Sequence, residues 1–266
     1  MKVYILDLGT IELDMNFMVA NTVVGTNSNK EPTIKWGSIP VLAALIDHPD
    51  GKILYDTGSN FRGMEYWPAH IKEVAPFHYR PEQEITKQLA MCNTKPDEIK
   101  TVILSHMHLD HAGNLDMFKK AEVIIHRDEL AHALTTVHAA TDPTAHGFYI
   151  KSEVDVEVTA YSFVYGDTEL CDGVELIHLP GHSPGLMALL VHLKNSGSMI
   201  LTQDACYTEM NLGPPFRHSG IAYDSKAYIE SLEKLRLLIK KHKAVPIFGH
   251  DIKQMDKLKL APLFYD

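Results

Sequence analysis

The sequence predicts a chain that mixes strands and helices along its whole length, with two strand-rich blocks. That alternation is consistent with an αββα arrangement, two sheets packed face to face with helices outside; by pattern alone it leaves α/β and α+β both open. Three observations carry it. Apolar runs of strand length recur along the chain. Apolar residues make up 45% of it, as a packed core requires. No linker, low-complexity tract or short-period repeat divides the 266 residues, so residues 1–266 are expected to form a single domain.

The elements follow in order. Val3 to Leu8, Val41 to Asp47 and Lys52 to Asp56 read as strands, with His48-Pro49-Asp50-Gly51 as the turn between the last two and Gly51 free to take a positive φ. Residues 59–80 form a long irregular segment rich in aromatics, among them Phe61, Tyr66, Trp67, Phe77 and Tyr79, and such segments are often functional. A helix is expected from Pro81, with proline at N1 and acids in the first turn, to about Cys92. Thr101-Val102-Ile103-Leu104 reads as a buried strand, Glu122 to His126 as another, Arg127 to about His138 as a helix and 139–152 as a loop. Strand pairs are expected around 154–179, then Leu186 to Leu193 and Ser198 to Thr202. The clearest helix begins at Tyr223-Asp224-Ser225. Its apolar stripe is Tyr228, Leu232, Leu235 and Ile239, with Asp224 or Ser225 as the cap.

Composition removes several function classes. A formal net charge of −9 argues against a nucleic-acid partner. The one basic cluster, Lys240-Lys241-His242-Lys243, ends a predicted helix, where cations complement the helix dipole. Asp7 interrupts the N-terminal apolar run, which is not read as a signal peptide, and no stretch approaches the ~18 apolar residues of a membrane span. Cys92, Cys171 and Cys206 are odd in number and widely spaced, so a reducing cytoplasmic location is expected; Cys206 is read as a small buried side chain rather than a ligand.

The chemistry is concentrated in Ser105-His106-Met107-His108-Leu109-Asp110-His111. Three imidazoles and a carboxylate fall together just after a predicted buried strand. In an extended segment residues i and i+2 point the same way, so His106 and His108 can reach one metal, while Asp110 and His111 sit where the chain turns and can point at a second. His182, Asp204 and His250 each lie at or just past the end of a predicted strand, where convergent ligands are held rigidly. With 16 histidines in the chain a lone one means little: His126, His178 and His192, on predicted strands, are read as satisfied side chains, while His146 and His218 lie in loops that could touch a substrate.

With Leu54-Tyr55-Asp56-Thr57-Gly58 before the His-x-His-x-Asp-His stretch, the Gly181-His182 turn, the Asp204 strand and Gly249-His250-Asp251, the chain resembles the metallo-β-lactamase superfamily over nearly its whole length. The resemblance implies an α+β fold, an αββα sandwich of two mixed sheets with the metals at the sheet edge. It implies two zinc ions (Zn2+), one on His106, His108 and His182, the other on Asp110, His111 and His250, with Asp204 bridging; manganese, cobalt or iron suit the same donors. It gives Asp56 the role of ordering the metal loop through hydrogen bonds.

Departures narrow the reading. The best-known β-lactamases of the superfamily have Cys where this chain has Asp204, and the flavodiiron relatives have Glu where it has His108. Asp204-Ala205-Cys206-Tyr207-Thr208 and Gly249-His250-Asp251 look most like the N-acyl homoserine lactonases and their relative 4-pyridoxolactonase, which carry a Tyr at the position of Tyr207. Those enzymes usually have Phe at the position of Leu109 and often a second Gly at that of Asn114. The implied function is hydrolysis of a small lactone, most of all the N-acyl homoserine lactones of bacterial quorum signalling, by a hydroxide held between the metals. Tyr207 would stabilise the oxyanion and Asp110 would pass a proton to the leaving group. Another lactone such as 4-pyridoxolactone, or a thioester in the manner of glyoxalase II, is the alternative; the chain lacks the basic C-terminal segment that a glutathione-like anion calls for. A zinc store without turnover needs neither Tyr207 nor an open coordination position. The segments Met15 to Met18 and Met64 to Trp67 are candidates for an acyl groove, core packing or a dimer contact. Relatives are often dimers, so a homodimer is a candidate assembly.

Overall fold

Alternate residues of a strand face opposite sides, so a strand covered on both faces must be apolar at both parities. The computed structural model, which describes residues 1–266, has this property in both its sheets. The first sheet contains β1 (Lys2–Asp14), β2 (Trp36–His48), β3 (Gly51–Tyr55), β4 (Phe77–His78), β5 (Ile99–Ile103), β6 (Glu122–His126) and β7 (Ala160–Val164), in the order β4-β1-β2-β3-β5-β6-β7. The second contains β8 (Thr168–Cys171), β9 (Val174–His178), β10 (Met187–Leu193), β11 (Gly197–Gln203) and β12 (Val245–Phe248), in the order β12-β11-β10-β9-β8. Both mix parallel and antiparallel pairs.

Side chains of one parity fill the space between the sheets: Val3 and Ile5 of β1, Ala44 and Ile46 of β2, and Leu176, Leu189 and Leu201 from the opposite sheet share one buried cluster. The Tyr55 hydroxyl donates across it to the Met187 carbonyl at 2.7 Å. The other parity of the first sheet, with Leu6, Leu45, Leu54 and Val102, packs under helices α1 (Gly63–Tyr66), α2 (Ala69–Val74), α3 (Ile85–Met91), α4 (Arg127–Ala139) and α5 (Lys151–Val154). On the far side of the second sheet, Ile177, Leu190 and Ile200 meet Tyr228, Leu232 and Leu235. Those three lie on α7 (Ser225–His242), which follows the single-turn α6 (Glu209–Leu212); α8 (Ile252–Met255) comes after β12. This is the expected αββα sandwich. Asp224 caps α7, its Oδ1 accepting from the Lys226 and Ala227 amides at 2.9 Å each.

Several boundaries differ from expectation, each for a physical reason. β1 continues beyond Leu8 to Asp14 because a bulge absorbs the polar and glycine residues: the register slips between Asp7 and Thr10, Gly9 takes φ +110°, and the strand goes on to pair Thr10 and Ile11 with β4. The helix expected from Pro81 is a 3₁₀ turn, Pro81–Gln83, and then α3, because Glu84 leaves helical geometry at ψ 135°. The expected loop 139–152 contains a 3₁₀ turn, Pro143–His146, and the start of α5, so the strand expected near 154 begins only at Ala160. No helix is long and apolar enough to cross a membrane.

The C-terminal tail lies along the outer edge of β1. Val3 and Tyr265 exchange backbone bonds of 2.8 and 2.9 Å, the Ala261 amide donates to Ile5 O at 2.9 Å, and Asn195 N reaches Asp266 O at 2.7 Å.

The aromatic segment 59–80 folds into α1, α2 and β4, and Glu153 pins it from α5. Its Oε1 accepts from the Tyr66 hydroxyl at 2.5 Å and the Trp67 indole at 2.7 Å, while its Oε2 has no partner. Burial raises the Glu153 carboxyl from 4.5 to about 8, against the pull of those two donors. Its folded-state pKa is raised, so the neutral form is favoured on folding. This stabilisation is complete below the unfolded pKa and is lost as pH rises to about 8. Glu153→Gln keeps the shape and never ionises. In urea titrations its midpoint should gain on the wild type between about pH 5 and about pH 8; a difference that stays constant over that range would show that Glu153 is ionised in the folded chain as in the unfolded one, so that burial does not raise it.

Candidate metal centre

Strand direction gathers the site. β5 runs parallel to β3 in the first sheet; in the second, β9 and β11 are both antiparallel to β10, and β12 is parallel to β11. β9, β11 and β12 therefore run one way. Asp56 follows β3, His106 to His111 follow β5, His182 follows β9, Asp204 follows β11 and His250 follows β12. Their ligand atoms fall into two groups, each with atoms within 4.8 Å of one another: His106, His108, His182 and Asp204 in the first, Asp110, His111 and His250 in the second.

In the first group His106 Nε2, His108 Nδ1 and His182 Nε2 lie 3.1, 3.2 and 2.9 Å apart. Asp204 Oδ2 is 3.6 Å from the first of these nitrogens and 3.2 Å from the last. Its other oxygen turns to the second group, with Oδ1 3.1 Å from His111 Nε2 and 2.9 Å from His250 Nε2. Asp110 Oδ2 lies 3.6 Å from each of those two nitrogens. Donors sharing one ion at 2.0–2.1 Å in tetrahedral geometry sit about 3.3 Å apart, so the spacing suits a metal.

Proton placement makes the same case more sharply. A neutral imidazole carries one ring proton. His250 Nδ1 faces the Pro40 carbonyl at 2.9 Å, and His111 Nδ1 faces Asp56 Oδ2 at 2.9 Å; both partners only accept, so in a neutral ring the proton sits on Nδ1 and Nε2 is bare. Ser105 Oγ spends its proton on Asp56 Oδ2 and accepts from His106 Nδ1 at 3.0 Å, which bares His106 Nε2 as well. The bare nitrogens face one another and a carboxylate, and His111 Nε2 has no hydrogen-bond partner at all. Positive charge reconciles this arrangement, whether it comes from an ion or from second ring protons: burial pushes His111 and His250 downward, but the Asp110 and Asp204 carboxylates outweigh it and raise both above the usual histidine range. Burial pushes His106 and His108 well below the usual histidine range, which favours neutral, ligating rings. At Asp204 burial pushes upward, but the surrounding His250, His111, His182 and His106 rings outweigh it and hold the carboxyl well below its usual range.

Asp56 ties the His106–His111 loop to the strand ends on both sheets. It is fully buried, with Oδ1 accepting from Ser105 N at 2.7 Å and Oδ2 from Ser105 Oγ at 2.8 Å, from His111 Nδ1 and from the Gln203 amide. Sequence reasoning misses Gln203, because nothing in an apolar strand ending in Gln marks it. Asp56 and Gln203 both take left-handed φ, +61° and +43°. Gly181 takes φ +133°, and a Cβ there would fall 2.3 Å from the Tyr228 backbone, so the turn presenting His182 requires glycine.

Tyr207 is buried, with its hydroxyl 2.8 Å from His182 Nδ1, which also lies 3.4 Å from the Ile221 carbonyl. Cys206 is buried and joins neither group. Asn114, at a position where the lactonases often have glycine, ties two loop carbonyls together. Its side-chain amide donates to Thr57 O at 2.9 Å and Ser59 O at 2.7 Å. Leu109 and Met18 line a cavity of about 30 Å³ between the two groups. A wider cavity of about 420 Å³ shares His108, Phe148, His182 and Ile221 with it and opens outward past Tyr223. Met64 turns away from both and takes a hydrogen bond from the Phe77 amide. Two of the strand histidines are satisfied as expected, His192 between Ser198 and Glu175 and His178 on the Pro184 carbonyl. His126, stacked on His178, departs from expectation: its Nδ1 accepts from the Asp128 amide at 3.2 Å, and with the ring held by that bond and the stack its Nε2 is buried without a hydrogen-bond partner. Of the loop pair, His146 borders the wider cavity, while His218 packs on Tyr228.

Comparison with known proteins agrees with the geometry. A family model described as the metallo-beta-lactamase superfamily matches residues 36–250. The chain is 34% identical to the N-acyl homoserine lactonase AiiB of Agrobacterium fabrum, with 100% of this chain and 99% of that protein covered. It is 31% identical to the N-acyl homoserine lactonase AiiA of Bacillus thuringiensis subsp. kurstaki, over 85% of this chain and 86% of that one. Among solved structures, it superposes with a TM-score of 0.85 at 28% identity on an N-acyl homoserine lactone hydrolase with the product N-hexanoyl-L-homoserine bound at its catalytic metal centre; 99% of this chain and 98% of that chain are covered.

Asp56→Ala would leave the Ser105 amide, the His111 ring and the Gln203 amide without an acceptor. Urea denaturation should show a loss of about 2–5 kcal/mol. A change within about 0.5 kcal/mol, that of an ordinary surface substitution, would mean that Asp56 orders nothing.

Proposed function

The chain belongs to the metallo-beta-lactamase superfamily, and from that premise we propose that it is a dinuclear zinc lactonase that opens N-acyl homoserine lactones to N-acyl homoserines. The observation that carries this is Asp204, whose two oxygens turn to different ligand groups and are positioned to bridge two ions. His106, His108 and His182 would hold one ion, and Asp110, His111 and His250 the other. When bound, such a pair polarises a carbonyl and lowers the pKa of water from about 15.7 to about 7.

The chain's own groups supply the rest. With His182 Nε2 turned inward as a ligand, its proton sits on Nδ1 and can be donated to the Tyr207 oxygen. The phenol proton is then free to donate into the cavity, where negative charge develops on the substrate carbonyl oxygen. Burial, with Asp204 nearby, pushes the Tyr207 phenol well above its usual range, so the donor stays protonated. Asp110, with a side chain 12% exposed, is the most open carboxylate of the site and can take up the proton released as water adds to the carbonyl and pass it to the departing alkoxide. Leu109, Met18 and Phe148 keep the surroundings apolar. Three unpaired cysteines suit a reducing cytoplasm.

Proton release by the zinc-loaded protein tests the proposal. The panel is short- and long-chain N-acyl homoserine lactones, 4-pyridoxolactone, a simple γ-lactone and a thioester. Homoserine lactones should be opened. Asp204→Ala should abolish turnover and lower bound zinc, whereas Tyr207→Phe should keep both ions and lower kcat about 10²-fold, the usual cost of one oxyanion donor. Turnover of 4-pyridoxolactone or the thioester alone would overturn the substrate. An unchanged kcat in Tyr207→Phe would leave Tyr207 only the support of His182.

A further inference from the structure

Glu129 makes no hydrogen bond to either ligand group, yet it is completely buried, in the first turn of α4. Both of its oxygens are occupied. Oε1 accepts from the Met107 amide at 3.1 Å and the Tyr149 hydroxyl at 3.0 Å, and Oε2 accepts from the Gly185 amide at 3.3 Å. These three donors have a common relation to the first ligand group. Met107 stands between His106 and His108 in the chain. Gly185 lies three residues after His182, in the same loop. The Tyr149 ring packs edge-on against the His108 ring, with centroids 4.5 Å apart.

Met107 shares its loop with Asp110 and His111, but it stands between the two histidines of the first group, and neither Tyr149 nor Gly185 belongs to a loop that carries Asp110, Asp204 or His250; the second group is held by other acceptors, Asp56 and the Pro40 carbonyl. The approach of α4 is close enough to require glycine: a Cβ at Gly185 would fall 2.6 Å from the Glu129 Cβ and amide nitrogen. Glu129 therefore ties the His106–His108 loop to the His182 loop, which arrive from different sheets, alongside the backbone bond from the Met187 amide to the Ser105 carbonyl at 3.0 Å.

We infer that Glu129 is a positioning residue for one ion of the pair, setting the span across which His106, His108 and His182 converge, and that its loss weakens that ion alone. The inference rests on the metal-site reading above. Groups of this kind, behind the ligands, typically change metal affinity about 10- to 100-fold.

The test is titration of the metal-free full-length chain with Co2+, following its visible ligand-field absorbance and the stoichiometry. The wild type should bind two ions per chain. In Glu129→Gln the new NH2 must oppose one of the amide or hydroxyl donors. One ion should bind as in the wild type and the other about 10- to 100-fold more weakly, with the far-ultraviolet circular dichroism unchanged. Two ions bound with wild-type affinity, or both weakened equally alongside a general loss of stability, would overturn the inference. If Glu129→Gln fails to fold, Tyr149→Phe decides: it removes one of the three donors and should weaken the same ion to a smaller degree, and no change there counts against the role. A wild-type chain that binds no Co2+ would instead overturn the metal-site reading, which distinguishes the two failures.

Discussion

A carboxylate withdrawn from water needs positive charge or proton donors on both oxygens, and at Asp204 the neighbours on both sides are histidines. The site depends on that constraint. Three of those rings are oriented by Asp56, Ser105 and Pro40, which meet the ring nitrogen on the far side. The loops reach Asp204 because β9, β11 and β12 run in the same direction and the sandwich brings the end of β5 opposite theirs. The both-sided apolar character of β1, β2, β5 and β10 makes the sandwich in turn. Sequence pattern, layer stacking, loop convergence and proton placement form one chain of dependence, and each link is set by the one before it.

The candidate ligand set is legible in the sequence because metal binding demands particular residue types at short spacing, and His106 to His111 offer that in one turn of chain. His182, Asp204 and His250 can be placed because each follows an apolar run whose end can be read. Gln203 and Glu129 cannot. Glutamine and glutamate are common, and their partners are remote: Gln203 meets Asp56 across 147 positions, and Glu129 meets Gly185 across 56. The αββα layering is legible for the same reason as the ligands, since burial on two faces leaves an unbroken apolar signature. The boundaries that differ lie where local geometry overrides composition. A bulge at Gly9 carries β1 past residues that read as its end, and Glu84 breaks a helix that proline and acidic residues point to.

Precision at the site is obtained with backbone conformations that most residues avoid. Asp56 and Gln203 in left-handed geometry each cost on the order of 1–3 kcal/mol. They come from different sheets and are joined by the hydrogen bond between them, so the contact that positions His111 also offsets strain on both sides of the sandwich. Loops held this way resist small shifts: moving one of them forfeits the bond that keeps the other in place.

The tail that runs along β1 matters at a distance from the site. β4 covers only Thr10 and Ile11 on that edge; beside Val3 and Ile5 the backbone groups are met by Tyr265 and Ala261. A strand left bare at the margin of a sheet is a template on which another molecule can add. The last few residues thus work as a seal, and the two ends of the chain are not equivalent places to attach something. A bulky fusion at the C-terminus would prise up the seal and expose a sticky margin while the ligand loops stayed intact, so its first symptom would be self-association of protein that still turns over substrate.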